Sequence, residues 1–281
     1  MKKVLITGKN SYVGNAVEAH LLQYPDAYQV DKVSLRTNEW QSMDFSIYDV
    51  VIHVAGIVHK KNKEVNRKTY FDINTDLTFK IAEKAKQDGV KQFVFLSTLN
   101  VYGKTHGIIT DATVKDPSTN YGESKLAAEK KLATLKASNY IITVLRPPVI
   151  YGPNAKGNYD LLRKLAIKSP VFPNKDNSRD MCYIDNFCIY MEWVIRKNKE
   201  GIFYPKDSEP MKLTELVKKI SNINNKKIFI SKIFNPLIYM VPRKKRHKAF
   251  ANLIIDITAP KLDVNLKNNN ETINATEHNY D

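Results

Sequence analysis

The fold is indicated at once by the stretch KVLITGKNSYVG, which occupies residues 3–14. Its first half is a short apolar run typical of a buried strand, and apolar residues with helical spacing follow from Val13 to Leu22. Gly8 and Gly14 frame the transition. Glycine lets the backbone approach a pyrophosphate, and a helix N-terminus offers unbonded N–H groups and the positive end of its dipole. The stretch therefore predicts a phosphate-binding loop, with an ordinary glycine turn as the alternative.

The same rhythm of strand and helix continues to about residue 150. Further strand patterns lie at residues 29–35, 49–54, 92–97 and 140–145, and helical patterns lie at 74–87 and 124–135. This alternation predicts an α/β fold with a doubly wound, parallel, Rossmann-type sheet.

The pattern becomes irregular after residue 150. Short helices are predicted near residues 159–167 and 213–220, with a small strand at 226–230. We expect a dinucleotide-binding core over residues 1–150 and a smaller C-terminal, substrate-binding region with a basic annex over residues 151–281. The last dozen residues are rich in Asn and acidic groups, which predicts a frayed end.

The composition limits the classes of protein to which the chain can belong. The 281 residues are 43% hydrophobic, so the chain can bury a sizeable core. Its two cysteines, Cys182 and Cys188, are too few for a disulfide framework or a metal site, so we predict no metal and a reducing compartment. The first apolar run is too short for a signal peptide, and no stretch reaches the roughly 20 apolar residues of a membrane span. We expect a cytoplasmic protein.

The chain carries a formal net charge of +15. Its lysines are scattered and it has no zinc-finger spacing or RNA-recognition motif, so no nucleic-acid partner is predicted. Residues 232–242 are apolar and precede the basic run RKKRHK at 243–248, a combination that can lie on an anionic membrane. Pro236 and Pro242 interrupt any long amphipathic helix, however. The favoured interpretation is a helical annex packed on the substrate-binding region, with peripheral membrane contact as the alternative.

A catalytic pattern lies between residues 95 and 125. Tyr121 and Lys125 are four residues apart on a predicted helix, which places them on one face. A phenol with a pKa near 10 is a poor base at neutral pH, and a neighbouring ammonium lowers that pKa. The stretch FLSTLNVYG at residues 95–103 follows the fourth predicted strand, at the sheet edge where parallel α/β proteins bind ligands.

Together these motifs resemble the extended short-chain dehydrogenase/reductase family, specifically its NAD-dependent epimerase/dehydratase type, whose members act on nucleotide-activated sugars. The resemblance covers residues 1–185 and includes the glycine loop, the turn at residues 53–56 and the stretch RPPVIYGP at 146–153. It implies a Thr98–Tyr121–Lys125 triad. Thr98 orients the substrate oxygen, Tyr121 exchanges a proton, and Lys125 tunes Tyr121 and holds the nicotinamide ribose.

The resemblance also implies the cofactor site. Its residues are Gly8, Asn10, Ser11, Tyr12, Val13, Gly14, Arg36, Asp44, Val54, Ala55, Gly56, Asn74, Ser97, Tyr121, Lys125 and Pro148. Ser11 replaces a glycine that the family usually has, and its hydroxyl can still donate to a phosphate. An acidic residue that would accept from the ribose 2′-hydroxyl is replaced by Arg36, which suits a 2′-phosphate. The cofactor is therefore NADP or NAD, with NADP favoured, unless Arg36 is only a surface charge.

Substrate contacts are expected at Asn100, Val149, Asn158 and Arg179, with Arg179 forking onto a diphosphate and a simple turn role open for Asn158. Dehydratases of the family carry an Asp-Glu pair where this chain has Leu99 and Asn100, which argues against dehydration.

The expected activity is reduction of a 4-keto-6-deoxyhexose, nucleotide-linked and destined for capsule or O-antigen precursors. The alternative is a UDP-hexose 4-epimerase acting on UDP-glucose or UDP-N-acetylglucosamine. A non-catalytic, cofactor-sensing regulator is a distant third, because the triad is intact. The expected partners are a nucleotide sugar, most simply UDP-linked, and a second copy in a homodimer paired through helices 74–87 and 121–135.

Overall fold

The structure is a computed structural model that describes residues 1–58, 66–155, 158–240, 242–258, 260 and 262–280; for 158, 244, 245, 248 and 249 it describes the backbone only. The strands are β1 (Lys2–Thr7), β2 (Tyr28–Val33), β3 (Val50–His53), β4 (Gln92–Leu96), β5 (Gly107–Thr110), β6 (Ile141–Leu145), β7 (Val149–Tyr151), β8 (Val171–Pro173), β9 (Ser178–Arg179), β10 (Met181–Tyr183), β11 (Gly201–Phe203), β12 (Met211–Lys212), β13 (Phe229–Ser231) and β14 (Leu253–Asp256).

The helices connect these strands. They are α1 (Tyr12–Leu21), α2 (Glu39–Ser42), α3 (Arg67–Phe71), α4 (Thr78–Gln87), α5 (Asn120–Ala133), α6 (Asn158–Lys168), α7 (Ile184–Arg196), α8 (Leu213–Ile223), α9 (Arg243–Phe250) and α10 (Asn269–His278). A π-helical segment, Asp72–Leu77, joins α3 to α4, and 3₁₀ helices span Leu99–Tyr102 and Lys232–Met240. Among the described residues, none of these helices is both long and apolar enough to span a bilayer.

Two compact units share the chain. The first comprises Met1–Gly103, Val114–Pro147 and Cys188–Pro205, and the second comprises the rest. The main change of unit, at Pro147–Pro148, lies close to the predicted boundary at residue 150. A single boundary does not divide the two units completely. The segment with β11 belongs to the first unit, because β11 pairs with β6, and the segment with β5 belongs to the second, because β5 pairs with β14.

The first unit is built on a six-stranded sheet with the order β11–β6–β4–β3–β1–β2, and all its strands are parallel. The predicted doubly wound α/β fold is confirmed. Consecutive strands leave β1 in opposite directions, so a topological switch point lies between β1 and β3, where such sheets bind ligands. The sixth strand, β11, escaped prediction because three residues carry too little pattern.

The core of this sheet explains why its strands are almost wholly apolar. Helices cover both faces, so β3 and β4 are buried along nearly their whole length. Phe93 and Phe95 pack with Ile81 of α4 and Leu132 of α5 in one buried cluster. Each such side chain stabilises the fold by about 1.5–3 kcal/mol, so the ends of these strands form a rigid platform.

The second unit contains a four-stranded sheet of order β12–β9–β14–β5 and the strand pairs β7–β10 and β8–β13. Its α10 corrects the expectation of a frayed end. Asn268 and Glu271 form a capping box at the start of α10, and Ile273 is fully buried. The Tyr159 hydroxyl donates to Glu277 at 2.8 Å. A polar sequence hid this helix because its buried face is held by hydrogen bonds as much as by apolar contacts.

Candidate active site

The phosphate-binding loop lies between β1 and α1, at the topological switch point between β1 and β3. Gly8 adopts a φ of +98°, which a residue with a side chain rarely tolerates. A Cβ placed on Gly8 would lie 3.2 Å from the Ala55 nitrogen, so the loop and the turn after β3 touch through their backbones. The Gly8 amide donates to Val33 at 3.0 Å, which fixes the loop at the ends of both neighbouring strands.

Ser11 is the N-cap of α1. Its Oγ accepts from the Gly14 amide at 2.9 Å, and a Cβ on Gly14 would come within 2.6 Å of that oxygen. This contact explains why Gly14 must be glycine. The Ser11 hydroxyl keeps its own proton for an incoming phosphate oxygen. The glycine cradle and the helix N-terminus therefore fit a dinucleotide pyrophosphate.

Asn74 lies in the π-helical segment and braces the turn after β3. Its amide accepts from the Ile57 nitrogen at 2.8 Å, and donates to the Ile57 carbonyl at 3.0 Å and the Ser124 hydroxyl at 3.1 Å. A Cβ on Gly56 would lie 2.9 Å from the Asn74 oxygen. Asn74 thus couples the Val54–Gly56 turn to the helix that carries Tyr121, a positioning role from within the protein.

His53, which was not among the predicted site residues, supports the same turn through hydrogen bonds of its ring. The ring is fully buried, with Nδ1 2.8 Å from the Thr7 hydroxyl and Nε2 3.0 Å from the Thr78 hydroxyl. Thr78 donates to the Asn74 carbonyl at 2.9 Å, so it accepts from Nε2–H, and Thr7 donates to Nδ1. Burial, with a smaller contribution from Lys125, lowers the pKa of His53 to about 3, which makes it a neutral structural group.

The structure brings Thr98, Tyr121 and Lys125 together at the end of β4 and the start of α5. The Thr98 hydroxyl forms a hydrogen bond with the Tyr121 phenol and accepts from the Asn100 amide at 3.2 Å. Thr119 caps α5 by accepting from the Gly122 amide at 3.1 Å, which starts the helix one residue before Tyr121. All three triad side chains are buried.

Gly122 and Gly103 determine how closely the elements that carry Thr98 and Tyr121 approach each other. A Cβ on Gly122 would lie 2.7 Å from the Asn100 carbonyl, so only glycine lets α5 pack on the turn that follows Thr98. Gly103 ends this turn at a φ of +64°, and a Cβ there would collide with the Asp116 carbonyl at 1.9 Å. The separation of Thr98 and Tyr121 therefore depends on two residues that take no part in chemistry.

The electrostatics of the triad differ from the expectation. Burial raises the pKa of Tyr121 to about 12, against the lowering effect of the Thr98 hydrogen bond. Burial also lowers the pKa of Lys125 to about 7. The Lys125 Nζ donates to the Leu96 carbonyl at 2.8 Å and lies 4.5 Å from the centre of the Phe95 ring. The predicted lowering of the Tyr121 pKa by Lys125 does not occur, because burial governs the pKa of Tyr121, and Lys125 lies beside Gly56 instead.

The sequence did not predict the buried ion pair between Glu129 and Arg146. Glu129 accepts from Arg146 Nε at 3.0 Å and from the Ser97 hydroxyl. Arg146 is 1% exposed and donates Nη1 to the Tyr102 and Tyr204 hydroxyls at 2.9 and 3.0 Å. Ser97, predicted to touch the cofactor, thereby ties the catalytic loop to the core. The Arg-Pro-Pro stretch at 146–148 drew attention to Arg146, but nothing in the sequence pointed to Glu129 as its partner.

The remaining predicted cofactor residues include several exposed side chains. Arg36 is exposed on the bend after β2, and Asp44 is exposed with its pKa lowered by hydrogen bonds from Ser46. Asn10 and Tyr12 are exposed in the phosphate-binding loop, and Val13 is half-buried in the first turn of α1.

The predicted substrate residues divide between the two units. Asn100 is exposed after Thr98, while Leu99 beside it is buried. Pro148 and Val149 begin the second unit, half-buried and exposed respectively. Asn158 starts α6, but its side chain lies outside the described residues.

Arg179 has protein partners. Its Nη1 donates to the carbonyls of Thr105, His247 and Ala251 at 3.3, 3.4 and 2.7 Å. The same guanidinium lies deep enough for burial to lower its pKa to about 10. These bonds occupy Nη1 and hold together the segments that contain Thr105, His247 and Ala251, and the predicted fork of Arg179 onto a diphosphate stays a prediction.

That cavity, of about 350 Å³, belongs to the second unit and was not predicted. It is lined by His106, Lys175, Asn235, Ile238, Tyr239, Arg246, His247, Phe250 and Ala251. The rings of His106 and His247 are 4.8 Å apart. Loss of solvent and the charges of four basic neighbours lower the pKa of His247. The lining is therefore cationic and suited to an anion. Across the described residues, no cluster of three or more His, Cys, Asp or Glu side chains is placed to hold a metal.

The parallel sheet, glycine loop and Thr–Tyr–Lys site define a nucleotide-binding enzyme of the extended short-chain dehydrogenase/reductase type. The chain belongs to the NAD-dependent epimerase/dehydratase family, which matches residues 4–204. It is 28% identical over 246 residues to a UDP-glucose 4-epimerase of Vibrio cholerae, covering 78% of this chain and 75% of that protein.

A second relative and a solved structure are also similar to the chain. The chain is 26% identical over 214 residues to the N-acetyl-α-D-glucosaminyl-diphospho-ditrans,octacis-undecaprenol 4-epimerase of Escherichia coli O157:H7, covering 73% of this chain and 63% of that protein. The crystal structure of a UDP-glucuronic acid 4-epimerase from Bacillus cereus in complex with NAD is 19% identical, covers 99% of this chain and 98% of that one, and superposes with a TM-score of 0.72.

Proposed function

We propose that this protein interconverts an alcohol and a ketone at C4 of a nucleotide-activated sugar, and that its net reaction is 4-epimerisation of a UDP-hexose. The observation that carries the proposal is the buried Thr98–Tyr121 hydrogen bond beside Lys125, at the carboxyl edge of the sheet. Similarity to two relatives named as 4-epimerases supports the net reaction.

The protein's residues divide the work. The Gly8–Gly14 loop and the N-terminus of α1 bind the pyrophosphate, and Lys125 holds the nicotinamide ribose from beside Gly56. When bound, the nicotinamide supplies reversible two-electron chemistry at the sugar C4. Thr98 and Tyr121 bind the C4 oxygen through their hydroxyls. A buried site that excludes water makes these hydrogen bonds stronger than they would be in solution.

Tyr121 moves the proton. Its pKa near 12 keeps the phenol protonated at neutral pH, which suits donation to a ketone oxygen. Removing a proton from the alcohol requires the phenolate, and the charge of protonated Lys125 favours that form. Because burial lowers the pKa of Lys125 to about 7, this charge is lost as the pH rises through the neutral range. Catalysis in the alcohol-oxidising direction therefore depends on the protonation of Lys125.

We propose that the cationic cavity of the second unit binds a phosphate-bearing anion. Lys175, Arg246, His106 and His247 supply donors, and Arg179 positions the backbone on which His247 lies.

A second candidate is the 4-keto-6-deoxyhexose reductase favoured by the sequence. The specific observation is exposed Arg36, which suits NADPH, the cofactor of a reductase. An epimerase regenerates its cofactor in each turnover, whereas a reductase consumes it.

The deciding experiment identifies the cofactor released from the purified protein and follows two reactions. Epimerisation predicts retained NAD and inversion of a UDP-hexose with no added reductant. Loss of NADPH absorbance only with a 4-keto-6-deoxy sugar nucleotide would assign the reductase instead. The homodimer through α4 and α5 stays a prediction, which light scattering at micromolar concentration tests.

A further inference from the structure

One segment of the second unit presents apolar side chains to solvent. The 3₁₀ helix Lys232–Met240 has three residues per turn, so positions three apart share a face. Asn235 and Ile238 lie on the inward face and line the cavity, and Ile238 is 4% exposed. The other two faces carry Ile, Phe, Pro, Leu, Tyr and Met and no polar residue, and most of these side chains are exposed, although Tyr239 also borders the cavity.

The exposure of these residues is large. Ile233, Tyr239 and Met240 are 74%, 75% and 80% exposed, and Leu237 and Phe229 of the adjoining β13 are 45% and 64% exposed. We name these five residues the apolar patch. Soluble monomers rarely expose continuous apolar patches beyond a few hundred Å², and larger ones mark interaction sites. The apolar patch is therefore a candidate interaction surface.

Basic residues flank the apolar patch. Lys232 and Arg243 are exposed, and the Arg246 guanidinium lies 4.9 Å from the centre of the Tyr239 ring. Helix α9 carries the run RKKRHK immediately after the 3₁₀ helix, without an acidic residue between 226 and 255. Pro236 lies inside the 3₁₀ helix and does not end it, whereas Pro242 is the N-cap of α9, so the segment contains two short helices with the apolar and basic residues adjacent along the chain.

We propose that the apolar patch and its basic flank dock the protein on a bilayer that contains anionic phospholipid. Apolar and aromatic side chains enter the headgroup boundary while Lys and Arg remain at the charged surface, which is how interfacial segments bind membranes. A second copy of the chain is a poorer partner, because a twofold contact would bring Lys232 and Arg243 near their own counterparts. The proposal does not depend on the assigned reaction.

The test is flotation of the purified full chain with vesicles of phosphatidylcholine alone or with about 30% phosphatidylglycerol. We expect binding to the anionic vesicles only, with release near 0.5 M NaCl as charges are screened. The variant Ile233→Ser/Met240→Ser removes apolar area outside the cavity and should weaken partitioning at least tenfold. Arg243→Glu should weaken it at least fivefold.

Matched controls change the surface elsewhere. Ile47→Ser/Val114→Ser removes two exposed apolar side chains of the first unit, and Lys115→Glu makes the same charge change as Arg243→Glu. Both should bind vesicles like the unmodified protein, and all variants should keep its melting temperature. Equal partitioning of patch and control variants, or no binding to anionic vesicles, would overturn the proposal. So would light scattering in which the patch variant alone loses a dimer and vesicles bind neither protein.

Discussion

Replacing Lys125 by Met should stabilise the protein while abolishing its activity. A pKa lowered from 10.5 to about 7 means that charging this amine in the folded state costs roughly 5 kcal/mol at most. Met keeps the side-chain volume but loses the hydrogen bond to the Leu96 carbonyl and the contact with the Phe95 ring, about 1–2 kcal/mol together. We expect Lys125→Met to raise the free energy of unfolding at pH 6, by no more than about 3–4 kcal/mol after these losses are subtracted.

The pH dependence gives the sharper test. Between pH 7 and 10.5 the unfolded chain holds a proton on Lys125 that the folded chain has released, so the wild-type protein gains stability as pH rises through this window. The advantage of Lys125→Met should therefore be full below pH 7 and shrink towards pH 10. Urea denaturation at pH 6, 8 and 9.5 measures it, with exposed Lys130→Met on the same helix as the control. A variant that is less stable at pH 6, or whose advantage is independent of pH, would refute the reasoning.

Three further predictions concern individual residues. Glu129→Gln leaves Arg146 charged without its buried partner and should cost about 3–5 kcal/mol in urea denaturation, while Glu129→Leu/Arg146→Met should recover most of it; equal losses in both variants would argue against the ion pair. Arg36→Asp should shift cofactor preference from NADPH towards NADH, measured as a ratio of dissociation constants; an unchanged ratio makes Arg36 a surface charge. Leu99 and Asn100 offer no acid–base pair, so a UDP-hexose should yield no 4-keto-6-deoxy product by mass spectrometry, and its appearance would contradict this account of the loop.

Patterns in the sequence predicted those parts of the fold that are determined by residues close together in the chain. The glycine turn after β1 and the four-residue spacing of Tyr121 and Lys125 each express backbone geometry within a few residues, and both occur as expected. The pairing of Glu129 with Arg146 joins residues 17 apart, and burial of His53 depends on three separate elements. Such contacts follow from tertiary packing, which periodicity does not encode.

The electrostatic expectations failed for the same reason. The spacing of Tyr121 and Lys125 indicated a shared face, but the pKa of each is governed by how deeply the sheet buries it. The sequence around Arg179 likewise did not indicate that its Nη1 donates to carbonyls of distant segments. Burial and long-range carbonyl contacts are properties of the folded chain.

The most direct test of the proposed chemistry compares the wild-type protein with Tyr121→Phe on UDP-glucose and UDP-N-acetylglucosamine, using proton NMR to follow the configuration at C4. The account predicts C4 inversion by the wild-type protein without net consumption of cofactor. The variant should turn over about 10²–10⁴-fold more slowly while binding cofactor with unchanged affinity, because only the proton-transfer group is lost. Inversion by Tyr121→Phe at the wild-type rate would contradict the assignment of Tyr121 as the group that moves the proton.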